Sequence, residues 1–523
     1  MMGIKSYQER MFYNFSLSGK VPQDHLVRTL NEVLDLRFVR ELVAGKYSHT
    51  GQRSVDPEVL FKMMLIGYFY GITSERRLAE DISVNMAYMW YLGYDVDEQT
   101  PNHSVISKAR ARYGRAVFEE FFNRILEQCV KAGLVRGEKV FADSTYIRAD
   151  ASLKSLVLRQ DAVEPALSSK EFVDKVFTEN KTEAETEHKN DDTTDPDNQP
   201  KPPEHRQTFS NKTHVSTTDP QAAVISHGQK LPLQLAYKEH FTVDSHARVI
   251  TAVEVTSALV GDESQLVNLI EKQPIAIKEV GADTKYGTCS NYKYLIEHNI
   301  LPSIPSWEGG SPSREKRFPQ KQFTYDQVTD TYTCPQGKQL TRGSDAVYNN
   351  SHTYHAKKKD CNECPLREKC VSPRVSCRHI FRQIHQSFKD RAKEYLSTEH
   401  AQETIRQRKC YAELINAESK TRHGLRRAMF RGLDNMTIQV LLTASVQNIK
   451  RLLAHFTGSA SVFKDLCTDI SDFVLFLFNR PVFARFGNRL NVNSVPYFFF
   501  HSALSPRGGC GGAVSVELFN NEK

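Results

Sequence analysis

Beyond Gly137 the chain changes its hydrophobic period, and that change limits the folds open to it more than any other feature. Lys139-Val-Phe-Ala-Asp143 is a short apolar run ending in a carboxylate. Leu231 to Val243 and Arg248 to Thr256 are β-rich runs separated by Asp244-Ser245-His246, the pattern of a hairpin or meander. A helical stretch (Glu263 to Glu271) follows, then the run Ile275 to Ala282, which again ends in a carboxylate, Asp283. Tyr292 to His298 reads as a short helix and Ile300 to Ile304 as a strand. Three strands, then helix, strand, helix and strand predict an α/β fold. Its mixed sheet has later strands that run parallel with helical crossovers.

The first 130 residues carry a helical period instead. Asp56-Pro57 has the form of an N-cap followed by a helix-starting proline, and Val59, Leu60, Met63, Met64, Ile66 and Phe69 continue the apolar face. Gly71 to Ser74 makes a turn, with Ser74 set to cap a second helix through Leu78 and Ile82. A turn at Asp97 to Pro101 precedes a basic helix containing Lys108, Arg110, Arg112 and Arg115. Short helices ending in a basic one suit a helix-turn-helix-like DNA-docking module, and they equally suit an all-helical bundle with a solvated charged face. At about 150 residues per domain, 523 residues predict roughly three units.

Between Thr178 and His205 there is no large apolar residue but nine acidic ones and several prolines, so a disordered loop is expected within about 160–210. Residues 307–385, rich in Gly, Ser, Lys and Cys, read as an insertion in the sheet. Long helices are expected from Ile384 to about Leu453, and residues 456–523 have no clear period or assignable role. The divisions are therefore 1–130, 131–455 and 456–523. No apolar run reaches the 18 or so residues of a membrane span, and Met1 to Gly19 lacks the apolar core of a secretory signal. Ten cysteines are too dilute for a disulfide scaffold, so a reducing, cytoplasmic setting is expected.

Carboxylates ending parallel strands project into the crevice where such sheets bind ligands, and Asp143 and Asp283 are placed to hold divalent Mg²⁺. A third acid is Glu413. On a helix, Lys409 lies one turn before it and Lys420 two turns after, so the three share a face. Glu418, about 140° around from Glu413, is the competitor, because only one of the two can face the sheet. The net charge of +7 is mild. It is unevenly spread, however: Ala401 to Leu453 holds ten Lys or Arg against four acids, a balance suited to phosphate contacts. In the insertion, Cys361-x2-Cys364 has zinc-knuckle spacing, and Cys334-Pro-Gln-Gly supplies a first turn. Cys370 or Cys377 would complete a four-sulfur structural zinc site; unpaired thiols in a basic loop are the other reading.

These stretches together resemble the DDE transposases of bacterial insertion sequences. Val140-Phe-Ala-Asp143-Ser-Thr is similar to the family's first-Asp strand, and Gly281-Ala-Asp283-Thr-Lys-Tyr-Gly287 to its second-Asp motif. Thr217 to Ala222 and the strand Leu235 to Asp244 resemble the segment between them. Lys409 to Lys420, His423 to Leu433 and Gln447 to Leu452 resemble the third-acid helix and its sequel. Residues 50–115 resemble the N-terminal domain that accompanies this catalytic domain. The resemblance implies a ribonuclease H-like sheet and two Mg²⁺ ions (or Mn²⁺) on Asp143, Asp283 and Glu413. It also implies cleavage and strand transfer on double-stranded DNA, at element ends and target, by a homodimer. Lys420 takes the place of the family's DNA-contacting lysine. Lys409 stands where the family often has Arg, keeping the charge but not the bidentate geometry. Arg426, Arg427 and Arg431 are the further DNA-binding candidates. A catalytically inactive DNA-binding relative and a nuclease without joining activity are the alternatives.

Overall fold

The structure, a computed structural model, describes residues 15–159, 209–227, 231–306, 317–343 and 350–457. The loop expected at 178–205 and residues 458–523 of the tail lie outside the described residues. All described residues fall in one compact unit, residues 1–459.

The helical period of the N-terminal region yields α1 (Leu17–Lys20), α2 (Leu26–Val33), α3 (Phe38–Val43), α4 (Pro57–Phe69), α5 (Glu75–Val84), α6 (Met86–Leu92) and α7 (Ser104–Lys131). The caps are those expected. Asp56 accepts from the Glu58 N–H at 2.9 Å, and Ser74 Oγ accepts from the Arg77 N–H at 3.3 Å. Helix α4 is apolar nearly all round and is correspondingly buried, with Phe61, Met63 and Leu65 fully enclosed. At Gly114, φ is 70°, which breaks the path of α7 between its basic first half and its apolar second half.

The main sheet is built on β1 (Val140–Arg148), β4 (Ala223–His227), β5 (Leu231–Asp244), β6 (Ile250–Ser257), β7 (Glu279–Gly281) and β8 (Leu301–Ser303). β2 (Leu156–Leu158) and β3 (His214–Ser216) form a separate small pair. The order is β4-β5-β1-β7-β8, with β6 also on β5. β5 is antiparallel to β1, β4 and β6, whereas β1, β7 and β8 run parallel through the crossover helices α8 (Leu266–Glu271) and α9 (Cys289–Glu297). This is the mixed α/β sheet expected. Strand β7 is shorter than the apolar run from Ile275 suggests. Residues 275–278 pass over Gly137, where the Lys278 N–H donates to the Gly137 carbonyl at 2.9 Å: φ of Gly137 is 66°, and a Cβ there would lie 2.3 Å from the Ala276 carbonyl oxygen.

Residues 317–383 form a second sheet, an antiparallel meander of β9 (Thr324–Asp326), β10 (Thr331–Thr333), β11 (Gln339–Arg342), β12 (Ser351–Ala356) and β13 (His379–Gln383). Short helices α10 (Lys358–Asn362) and α11 (Arg367–Cys370) lie between its last two strands. The sequence shows this region as an insertion with a cysteine cluster and gives no sign of a sheet, because its strands are short and polar.

The C-terminal helices are α12 (Gln386–Leu396), α13 (Glu399–Arg408), α14 (Leu414–Arg422) and α15 (Leu433–Thr457). They are interrupted at Ser397-Thr398, where Thr398 Oγ1 caps α13, and again between His423 and Gly432. Alternation along β1 divides the core between two faces. Phe141 and Ile147 join α4, α7 and α15 in one cluster, while Ala142 joins Leu266, Tyr292 and Ala392 in another. The meander keeps a third, small core around Phe323, Tyr332, Leu340 and Tyr354.

Candidate active site

Phe141 of β1 stands opposite Gly281 of β7. Two residues further along each chain come Asp143 and Asp283, so the two carboxylates sit at the same height just beyond the last parallel pair. Asp283 does end its strand and caps the following turn, accepting from the Lys285 N–H at 2.9 Å. Asp143 does not end β1, contrary to the sequence expectation, because β5 stays paired with β1 through Arg148. Burial pushes the Asp143 carboxyl up to about 6; Asp283 and Asp262 add to the rise, while Arg408 works against it.

The third-acid helix enters this site through an irregularity. Residues Lys409 to Glu413 form a π-helical turn between α13 and α14, and Tyr411 stacks on Phe141 with ring centroids 4.9 Å apart. The wider turn shifts the phase of the helix. Arg408, not Lys409, consequently reaches Asp143, with Nη1 3.5 Å from Oδ1, and Lys409 is exposed. Lys409 and Glu413 both face solvent, while Lys420 reaches the sheet. Past the π turn the α period resumes: Asn416 donates to Asp143 Oδ2 at 3.2 Å, and Lys420 Nζ donates to Thr145 Oγ1. Glu413 lies one turn before Asn416 and is exposed. Of the three predicted acids, the structure places Asp143 and Asp283 together. As they stand, no three His, Cys, Asp or Glu side chains among the described residues form a metal-holding group.

Glu418 takes the other direction. It is held by Lys450 at 3.1 Å and Arg451 at 2.6 Å, with His423 Nε2 3.5 Å away, and the Lys and Arg lie on α15. Gln447 donates to Ser419 Oγ, and Asn448 clamps β6 by two 2.8 Å bonds to the Ile250 backbone. The Gln447 to Arg451 segment therefore fastens α14 to the sheet, and Glu418 serves that fastening.

Two carboxylates near Asp143 escaped the sequence reading. Glu239 lies opposite Thr145 on β5 and is fully buried; burial pushes its carboxyl up to about 7, with Lys420 opposing and Asp143 adding to the rise. Its place in a β-rich run was the only signal, and it is the kind of position where an apolar residue is expected. Asp262 is buried at the start of the segment before α8. It accepts from Ser144 Oγ at 2.7 Å and pairs with Lys238 and Lys285, each at 3.1 Å. Those bonds fasten the turn after Asp283 to β1 and β5. Around Asp143, moreover, Asn416 Oδ1 and Glu239 Oε2 are buried without a hydrogen-bond partner. Repelling carboxyls beside orphaned oxygens form a hard-donor set whose cost a divalent Mg²⁺ would relieve.

The predicted DNA-binding arginines sit at the far end of β1. Residues 426–428 hydrogen-bond to Arg148, extending that strand edge. Arg426 Nε donates to the Lys420 carbonyl at 3.2 Å; Arg427 and Arg431 pair with Asp150 at 2.7 and 3.4 Å and stay well exposed. They line a surface cleft of about 470 Å³ with Arg148, Ser152 and Gln234. Arg148 is five residues from Asp143, roughly 16 Å along the strand. The basic half of α7 is less free. Arg110 pairs with Glu75 at 2.5 Å, Arg115 bridges Glu119 and Glu254, and Arg112 lies over the Tyr47 ring. The cysteines of the insertion collect in the core of the meander, Cys361 and Cys377 buried and Cys334 and Cys370 packed against them.

Two segments match family models. Residues 15–112 match a model described as Transposase domain (DUF772), and residues 333–453 match one described as Transposase DDE domain. The first match spans α1 to α6 and the start of α7; the second spans Cys334, Glu413, Lys420 and the arginine cleft. Both matched segments are thus transposase domains. More particularly, the second is of the DDE class, as the resemblance of its motifs implied. No curated protein and no solved structure matches the chain. No helix among the described residues is long and apolar enough to cross a membrane.

Proposed function

We propose that this transposase binds the ends of its insertion sequence and carries out Mg²⁺-dependent DNA cleavage and strand transfer on a ribonuclease H-like catalytic domain. Asp143, Asp283 and Glu413 are its metal-binding acids. The observation that carries the reading is the matched height of Asp143 and Asp283 at the end of the parallel strands, beside buried oxygens that lack partners. When bound, two Mg²⁺ (or Mn²⁺) ions would polarise the attacking and leaving oxygens of an in-line displacement. The chain's own residues supply position and charge. Lys420, tied to Thr145, and Arg408, tied to Asp143, put two cations beside the acids for the non-bridging phosphate oxygens. Arg427 and Arg431, on the cleft at the Arg148 end of β1, grip the phosphates of the same double-stranded DNA without reading sequence. Glu413, exposed on its π turn and one helical turn from Asn416, would complete the set of acids that hold the ions. The active species is a homodimer on DNA, in the bacterial cytosol.

A second reading, a DNA-binding relative without catalysis, draws on the exposure of Glu413. A strand-transfer assay with Mg²⁺ and DNA carrying the element's ends separates the two. Nicking at the end followed by joining to target DNA supports transposition, and binding with no nick supports the second reading. Nicking without joining would mark a ribonuclease H-like nuclease.

A further inference from the structure

We propose that Cys334, Cys361, Cys364 and Cys370 together bind one structural Zn²⁺ ion that pins the β9–β13 meander. Three independent features of the fold converge on it. First, cysteines far apart in sequence are gathered into one small core: Cys334 after β10, Cys361 in α10 and Cys370 at the end of α11 share it, and Cys364 lies two residues past α10. Burial pushes the Cys361 and Cys370 thiols up, and neighbouring sulfurs add to the rise: Cys377, Cys364 and Cys334 for Cys361, and Cys361, Cys364 and Cys334 for Cys370. Cys377 has its own neighbour, His379 Nε2 at 3.6 Å, and stands outside the set.

Second, backbone N–H groups are aimed at the sulfurs, a feature that favours the charged thiolate a metal binds over the neutral thiol. The turn Cys334-Pro-Gln-Gly337-Lys338 closes through Gly337 N–H to Cys334 O and Cys334 N–H to Lys338 O, both 2.8 Å, with Gly337 at φ 72°. It points the Lys338 N–H at Cys334 Sγ, 3.4 Å away. The Arg378 backbone N–H bonds the Cys361 sulfur in the same sense. The surroundings are cationic as well. The Arg378 guanidinium donates to Cys370 O and Phe318 O, both at 2.9 Å, beside the run Lys357-Lys358-Lys359. Each thiol gives its proton to solvent as its sulfur–zinc bond forms, and the site, of net charge −2, gains from these cations.

Third, the meander needs a staple. Its core is separate from the other clusters and rests on a few residues such as Phe323, Tyr332, Leu340, Tyr354 and Ile380. A scaffold of this size seldom holds together on apolar burial alone. Its described cysteines are all free thiols, so no disulfide among them supplies the constraint. As they stand, no three of these sulfurs are gathered closely enough to hold the ion. Uncharged thiols have no force drawing them to the ~2.3 Å zinc–sulfur radius, and the ion supplies it.

Metal analysis of the full-length protein, purified without chelator, tests the inference. About one equivalent of zinc per chain is expected, retained in Asp143→Asn and Cys410→Ser and lost from Cys361→Ser/Cys364→Ser. Should that double variant fail to fold, stepwise mercurial titration of the wild-type thiols must release the zinc in proportion. The Co²⁺-loaded protein must also show a thiolate charge-transfer band. Less than about half an equivalent of zinc, or zinc that persists in the double cysteine variant, would overturn the assignment. Loss of zinc in Asp143→Asn would move the ion to the acids. None of these readouts depends on DNA cleavage.

Discussion

Replacing Glu239 with Gln should make the magnesium-free protein more stable above neutral pH, by an amount that the burial of this side chain sets. Glu239 is 3% exposed, and its Oε2 has no partner. Burial raises its carboxyl from 4.5 to about 7. Between those values the folded protein keeps a proton that the unfolded chain has released, so stability falls as pH rises through the window. At ~1.4 kcal/mol per pKa unit, a rise of about 2.5 units makes the wild type lose about 3 kcal/mol from this group between pH 4.5 and 8. That figure is an upper bound, because Lys420 and penetrating water relax around the charge. Gln has nearly the same shape and cannot ionise, so its variant lacks this part of the slope. Thermal unfolding in magnesium-free buffer at several pH values reads the difference. The variant should match or trail the wild type near pH 5 and exceed it by a few degrees near pH 8. A melting-temperature difference that is the same at both ends would refute the reasoning and imply that Glu239 is solvated or paired in the folded state.

Other residues separate chemistry from scaffolding. Glu418→Gln should cost about 3 kcal/mol by stranding Lys450 and Arg451, whereas Glu413→Gln should leave the melting temperature unchanged and abolish cleavage. Unfolding curves paired with a nicking assay distinguish the two. In Gly281→Ala, the new Cβ would meet two ring carbons of Phe141 at 2.7 and 2.8 Å. A loss of about 1–3 kcal/mol and a fall in cleavage are expected, since Phe141 lies two residues before Asp143. Arg427→Ala/Arg431→Ala should flatten the salt dependence of DNA binding, the slope of log K against log salt shrinking by about 1 per lost phosphate contact. An unchanged slope in a filter-binding titration would remove these arginines from the DNA path.

Much of the architecture was legible because local signals agreed with each other. Asp56-Pro57 and Ser74 start helices where expected, and the alternating runs around Asp244 pair as β5 and β6. Asp143 and Asp283 were readable from the strand-then-carboxylate pattern, although register alone decides that they face each other at one height. The π turn at Lys409 to Glu413 was not legible, since no residue type announces it, and neither was the contact of Arg408 with Asp143. Glu239 was hidden for the opposite reason: a carboxylate within a β-rich run gives no sign of which face it takes until the pairing partner is known. The meander escaped notice because its strands are three to six residues long and mix Thr, Gln, His and Arg with one or two large apolar positions. The basic helix α7 shows the limit of counting charges, for its arginines are engaged by Glu75, Glu119, Glu254 and Tyr47.

The central claim is that the Asp143–Asp283 pair organises metal-dependent cleavage of a DNA strand. Its most direct test measures nicking of end-bearing DNA in Mg²⁺ alongside binding to the same DNA, for the wild type and Asp283→Ala. The account predicts a 3′-hydroxyl nick by the wild type that is lost in the variant, while DNA affinity stays largely intact. A variant that still nicks would contradict it.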